Sequence, residues 1–203
     1  MRQLRTLALI AATVAGPATA QTYNQCEKSE IAAIAAAVEG AHDLALQASV
    51  LVGDTPEYRR WFGDYSRRNG DFLRRNLKSV YKSIVEQEIH SNCRNSIEEA
   101  CKGGTYAFVD LDRPWVVNFC PPFFGLPTMT GVFPGARALE DGTQEGTIIH
   151  EMSHFEETAN TDDLCYSRGD CEAMARTDPN GALRNADSYQ YFAEDVIFFP
   201  PTQ

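Results

Sequence analysis

Between Ile31 and Ala45 apolar side chains recur every three or four residues, at Ile31, Ile34, Ala35, Val38, Ala41, Leu44 and Ala45. This period gathers them on one helix face, so the Ala-rich stretch from Lys28 to about Val52 is predicted to be a long amphipathic helix with Ser29 as N-cap and Gly53 as stop. Two more helices are expected, over Pro56 to Arg68 and Asp71 to about Glu88, with a turn at Asn69-Gly70 between them. The period changes after Cys93. TYAFVD and WVVNF are short runs of aromatic and β-branched residues joined by Leu111-Asp112-Arg113-Pro114, and they predict a small sheet. Pro121 and Pro122 end the second run, and Phe123 to Ala136 reads as a loop. Helical spacing returns from Thr143 to Phe155. Asp178-Pro179-Asn180-Gly181 marks a break, and Asn185 to Asp195 a last helix before a Pro200-Pro201 tail. Helices with a small attached sheet make an α+β fold.

The first stretch stands apart. MRQLRTLALIAATVAGPATA places Arg2 and Arg5 ahead of an apolar run and small residues at its end, the layout of an export signal over residues 1–20. The apolar run from Leu7 to Val14 is shorter than the ~20 residues that span a bilayer. The expectation is a secreted or periplasmic monomer, residues 21–203 forming one domain, with no membrane contact after cleavage. So little chain separates the signal from Cys26 that a product active on export is expected. A net charge of −10 argues against nucleic acid as a partner. Cys26, Cys93, Cys101, Cys120, Cys165 and Cys171 form an even set in an exported chain, which predicts disulfides and speaks against a cysteine nucleophile. Cys165 and Cys171 are close enough to close a local loop.

Candidate chemistry sits on the helix after Thr143. In His150-Glu151-Met152-Ser153-His154 the two histidines are one turn apart on the same face, where both imidazoles can reach one zinc ion. Glu151 would then lie beside the attacking water as its general base. A catalytic zinc site takes a third protein ligand and keeps one position open. Downstream acids are Glu156, Glu157, Asp162, Asp163, Asp170, Glu172, Asp187 and Glu194. Glu156 and Glu157 follow His154 too closely to turn back. Asp163 lies far enough on for the chain to leave the helix, helped by Asn160, which tolerates a left-handed turn. Glu172 on a second helix is the alternative, and spacing does not separate these two.

The run Asn160-Thr161-Asp162-Asp163-Leu164-Cys165-Tyr166-Ser167, following the histidine motif, resembles the Gly-Thr-x-Asp-x-x-Tyr-Gly signature of the deuterolysin and peptidyl-Lys metalloendopeptidase family, the aspzincins. Asn185-Ala186-Asp187-Ser188-Tyr189 resembles that family's late Asn-Ala-Asp segment. Cys26, Cys93, Cys101 and Cys120 resemble its two disulfides, and VVNFCPPFFGLP its strand and loop before the catalytic helix. The resemblance implies a mainly helical, zincin-like domain, Asp163 as third zinc ligand, and Tyr166 as donor to the oxygen that gains charge during attack. It also implies that Asp187 receives a substrate Lys after the scissile bond. Gln190 stands where Lys-specific members carry a second carboxylate, so a Lys or other basic preference and a broader specificity both stay open. Asn160 and Ser167 replace glycines of the signature.

The sequence thus points to a zinc endopeptidase with one Zn2+ and a peptide or protein substrate. The alternative from another class is a secreted, non-catalytic or toxin-like zinc-binding protein on the same scaffold.

Overall fold

The computed structural model describes residues 21–131 and 141–198. The expected signal, the later part of the loop ending at Ala136 and the Pro200-Pro201 tail lie outside the described residues. The element order is β1 (Thr22–Asn24), α1 (Lys28–Leu51), α2 (Pro56–Phe62), α3 (Arg67–Glu86), β2 (His90–Cys93), β3 (Ala107–Val109), β4 (Val116–Phe119), α4 (Gln144–Ser153), α5 (Arg168–Thr177), α6 (Pro179–Ala182) and α7 (Ala186–Phe198). The architecture is α+β and mainly helical, as expected.

The long first helix forms where its apolar period places it, but its cap lies two residues before Ser29. Glu27 is the N-cap, and the Glu30 side chain accepts its backbone N–H. Asn69-Gly70 is not a turn. Ser66 caps α3 by accepting the Asn69 N–H, which draws both residues into the first helical turn. Gly70 serves there as a point of close approach, since a Cβ would lie 2.5 Å from the Tyr65 ring. The chain breaks instead at Gly63, whose φ of +72° suits glycine. Helix α3 buries Leu73, Leu77, Val80 and Ile84, each contributing roughly 1.5–3 kcal/mol by removal from water.

The sheet has four strands in the order β1-β2-β4-β3, with β1, β2 and β4 parallel and β3 antiparallel to β4. β3 and β4 match the two predicted runs. β1 and β2 lack the β-branched alternation that announces a strand. Their register aligns Asn24, Asn92 and Asn118, whose side-chain amides hydrogen-bond across the strands at 3.3 and 3.1 Å. Cys26–Cys93 then ties the start of α1 to β2, and Cys101–Cys120 ties the segment before β3 to the end of β4.

Helix α4 lies at the centre, packed against α1, α3, α7 and β3, and every one of its residues is buried. Ile148, Ile149 and Met152 join the core. That leaves the polar side of α4 facing a cleft bordered by β3, by the chain after α4 and by the start of α7.

Candidate metal centre

Thr143 caps α4 by accepting the Gly146 N–H at 2.9 Å, which sets the phase of the helix. His150 and His154 follow one turn apart, their rings 4.9 Å apart between centroids. Beyond His154 the chain reverses direction. Asn160 takes φ +49°, the Thr161 N–H returns to the Ser153 carbonyl, and the Ser153 and Thr161 hydroxyls meet at 2.6 Å. Asp162 next forms a parallel bridge with Asn185, its N–H donating to the Arg184 carbonyl. This pairing presents Asp163 to the two imidazoles.

The Asp163 carboxylate lies 3.2 Å from His150 Nε2 and 3.4 Å from His154 Nε2. Zinc bonds of 2.0–2.1 Å in a tetrahedral shell require ligand atoms about 3.3–3.4 Å apart, so the donor spacing fits the ion. The remaining ring nitrogens are oriented for the same purpose. His154 Nδ1 donates to the Thr161 carbonyl at 2.8 Å, and His150 Nδ1 faces Asp187 Oδ1 at 2.7 Å, so the Nε2 atoms are the ones a metal could use. His150, His154 and Asp163 form a cluster whose ligand atoms all lie within 4.8 Å of one another.

The other acids go elsewhere. Glu172 pairs with Arg60 at 2.8 Å, Asp162 turns out toward Arg184, and Glu156 and Glu157 are exposed. Glu151 is buried, 4.0 Å from His150 Nε2. Tyr166 lines the cleft with Asp163 and is 60% exposed, so it borders the open side. Ser167 adopts φ +69°, the conformation for which the resembling signature uses glycine. It is held there by its N–H on Asp187 Oδ2 at 3.1 Å and by capping α5.

Asp187 borders the cleft and is buried, with one oxygen on His150 and the other on Ser167. Three contributors were not singled out from the sequence. These are the Thr161 carbonyl, the Asn185 side chain, which accepts the Leu164 and Cys165 N–H groups at 2.8 and 3.0 Å, and Arg168, described below. The third disulfide, Cys165–Cys171, closes the segment carrying Tyr166.

Electrostatics follow from crowding acids around two imidazoles. Burial opposes charge on His150, but hydrogen bonds to Asp163 and Asp187 more than offset it and hold the ring up at about 10. Burial pushes Glu151 up to about 7 against the pull of His150. Burial and the charge of His150 push His154 down. Burial, with the neighbouring Asp163, raises the Tyr166 phenol to about 12, so it stays a proton donor at neutral pH.

The cleft has a volume of about 1050 Å³. Asp141, Glu151, Asp163 and Asp187 line it, and among the described residues no Lys or Arg does. Its far wall includes Tyr106 to Val109, along β3, one of the two edge strands of the sheet.

A family model described as lysine-specific metallo-endopeptidase (Aspzincin_M35) matches residues 46–194. An extracellular protease of Aeromonas hydrophila is 32% identical, over 93% of this chain and 51% of that protein. The peptidyl-Lys metalloendopeptidase of Grifola frondosa is 31% identical, over 86% of this chain and 47% of that protein. The enzyme of the same description from Pleurotus ostreatus is also 31% identical, over 86% of this chain and 96% of that protein. The chain therefore spans about half the length of the first two relatives and nearly all of the third. Among solved structures, a zinc peptidase from Grifola frondosa superposes with a TM-score of 0.71 at 27% identity, covering 85% of this chain and 98% of that one.

Proposed function

Because the chain belongs to the lysine-specific metallo-endopeptidase family, we propose that it is an exported zinc endopeptidase, with residues 1–20 its export signal and residues 21–203 one catalytic domain. The observation that carries this reading is the convergence of His150 Nε2, His154 Nε2 and Asp163 at tetrahedral spacing, with Glu151 beside them in an open cleft. Zinc, when bound there, supplies Lewis acidity toward the substrate carbonyl and toward water.

The chain's own groups do the rest. Glu151 takes the proton of the attacking water and passes it to the leaving amine. The Tyr166 hydroxyl donates to the carbonyl oxygen as that atom gains negative charge, a contribution of about 2.7–4 kcal/mol for a preorganised donor. Asp187 and the Thr161 carbonyl hold the two imidazoles in their ligating orientation. The substrate lies extended along the outer edge of β3, which pairs with no other strand among the described residues, and backbone hydrogen bonds position it there without regard to sequence. The acidic lining favours a basic side chain in the cleft. With Gln190 in place of a second carboxylate and both Asp187 oxygens engaged, selection for Lys is expected to be a preference, shared with Arg.

The test compares the wild type with Glu151→Gln, both purified from the exported fraction, where a mature chain beginning at Gln21 is expected. Stoichiometric zinc in both, with cleavage of a peptide library by the wild type alone, supports the reading. Zinc in both and cleavage by neither would instead favour the non-catalytic zinc protein.

A further inference from the structure

Arg168 is the first residue of α5, two positions after Tyr166 and five after Asp163. Its guanidinium donates to Glu194 Oε2 and to Asp195 Oδ1, both at 2.8 Å, and lies over the Tyr191 ring at 4.5 Å and the Trp61 ring at 5.4 Å. Both carboxylates are buried on α7. Glu194 uses its other oxygen on the catalytic helix, where Oε1 accepts the Thr143 N–H and the Thr143 hydroxyl, each at 2.9 Å. Thr143 is the N-cap of α4. One carboxylate thus bridges the start of the helix that carries His150, Glu151 and His154 and the start of the helix that follows Asp163 and Tyr166. The bridge also depends on a glycine, since a Cβ at Gly146 would lie 2.0 Å from Glu194 Oε1. Asp195 extends the link, its second oxygen accepting from Trp61 Nε1 at 3.0 Å and Arg60 at 3.2 Å, while Arg60 in turn pairs with Glu172 on α5.

We infer that Arg168 and Glu194 are positioning residues for the reaction, a strut that sets the distance between the Tyr166 hydroxyl and the histidine helix. The inference rests on the role proposed for Tyr166. The segment between Asp163 and Arg168 contains Ser167 in a left-handed conformation that is unfavourable for a side chain, so it keeps its shape only while both ends are fixed. Asn185 and Asp187 hold the near side through backbone N–H groups. On the far side Arg168 supplies a planar, two-pronged contact that a lysine ammonium does not reproduce. A small drift of the phenol away from the carbonyl oxygen then costs turnover more than binding.

The experiment is a double-mutant cycle between Arg168→Lys and Tyr166→Phe, read as kcat and KM on a peptide substrate. Zinc content is measured throughout, together with amide hydrogen exchange over residues 164–168. Arg168→Lys keeps a buried cation for both carboxylates. It is expected to lower kcat about tenfold, with KM little changed and zinc retained, because misplacement of a catalytic group acts on the chemical step. In the Tyr166→Phe background the same substitution should change kcat less than twofold, since sites that act through one another are not additive. Exchange at residues 164–168 should rise. Equal losses of kcat in both backgrounds, or unchanged exchange, would overturn the inference. Raised exchange with no effect of Tyr166→Phe on kcat would keep the strut and sink the role given to Tyr166. Glu194→Gln supplies an independent check should Arg168→Lys fold poorly. It retains the size of the side chain, removes the charge pairing with Arg168, and should reproduce the kcat loss and the faster exchange.

Discussion

Asp187 carries two demands on one carboxylate. Sequence resemblance assigns it to a substrate ammonium, while its oxygens are 2.7 Å from His150 Nδ1 and 3.1 Å from the Ser167 nitrogen. An orienting carboxylate behind a metal-ligating histidine is worth 10–100-fold in metal affinity. Asp187→Asn is therefore expected to weaken zinc binding by about that factor, measured by competition with a chelator, while leaving the ratio of Lys to Arg cleavage nearly intact. Unchanged affinity with loss of basic preference would return Asp187 to the substrate. The histidine pair and the competing acids were legible because helical spacing and local turns are properties of neighbouring residues. The Asp187 to His150 contact was not, because it depends on how α7 packs on α4, which spacing does not encode.

At the scale of elements, legibility followed the strength of local signals. The amphipathic period of α1 and the β-rich runs of β3 and β4 placed those elements correctly. β1 and β2 are three and four residues of largely polar sequence, held by neighbouring strands, an asparagine register and a disulfide rather than by their own propensity. Asn69-Gly70 misled because an N-cap at Ser66 overrides a turn signal three residues later. The cap of α4 deserves the same weight, since Thr143 both accepts the Gly146 N–H and donates to Glu194. Thr143→Ala should cost about 1–2 kcal/mol, seen as a lower midpoint in denaturant with unchanged slope, and Thr143→Ser should restore most of it. A loss no larger than that of an exposed surface substitution would mean that the helix end is fixed by packing alone.

For the whole molecule, the described residues form one core in which the histidine helix is buried at every position, so the centre rests on a firm base and the cleft opens toward the sheet edge. The disulfides hold the periphery to that base, and one of them bears on the proposed activity turned on the protein itself. Of four lysines, Lys28 opens α1, and Lys78 and Lys82 lie within α3, where the chain cannot extend into a cleft. Lys102 lies in an irregular stretch before β3, exposed, with backbone angles outside the helical range and two glycines after it. If basic residues after the scissile bond are favoured, the first lysine site cut in self-digestion of a concentrated sample should be the bond between Cys101 and Lys102. Cys101 stays bonded to Cys120 across that break, so the nicked protein would run as one chain until reduced and then as two. Fragments beginning mainly at uncharged residues would speak for the broader specificity. The same bond that braces the sheet would thus let a damaged molecule keep its shape and leave the nick visible only under reduction.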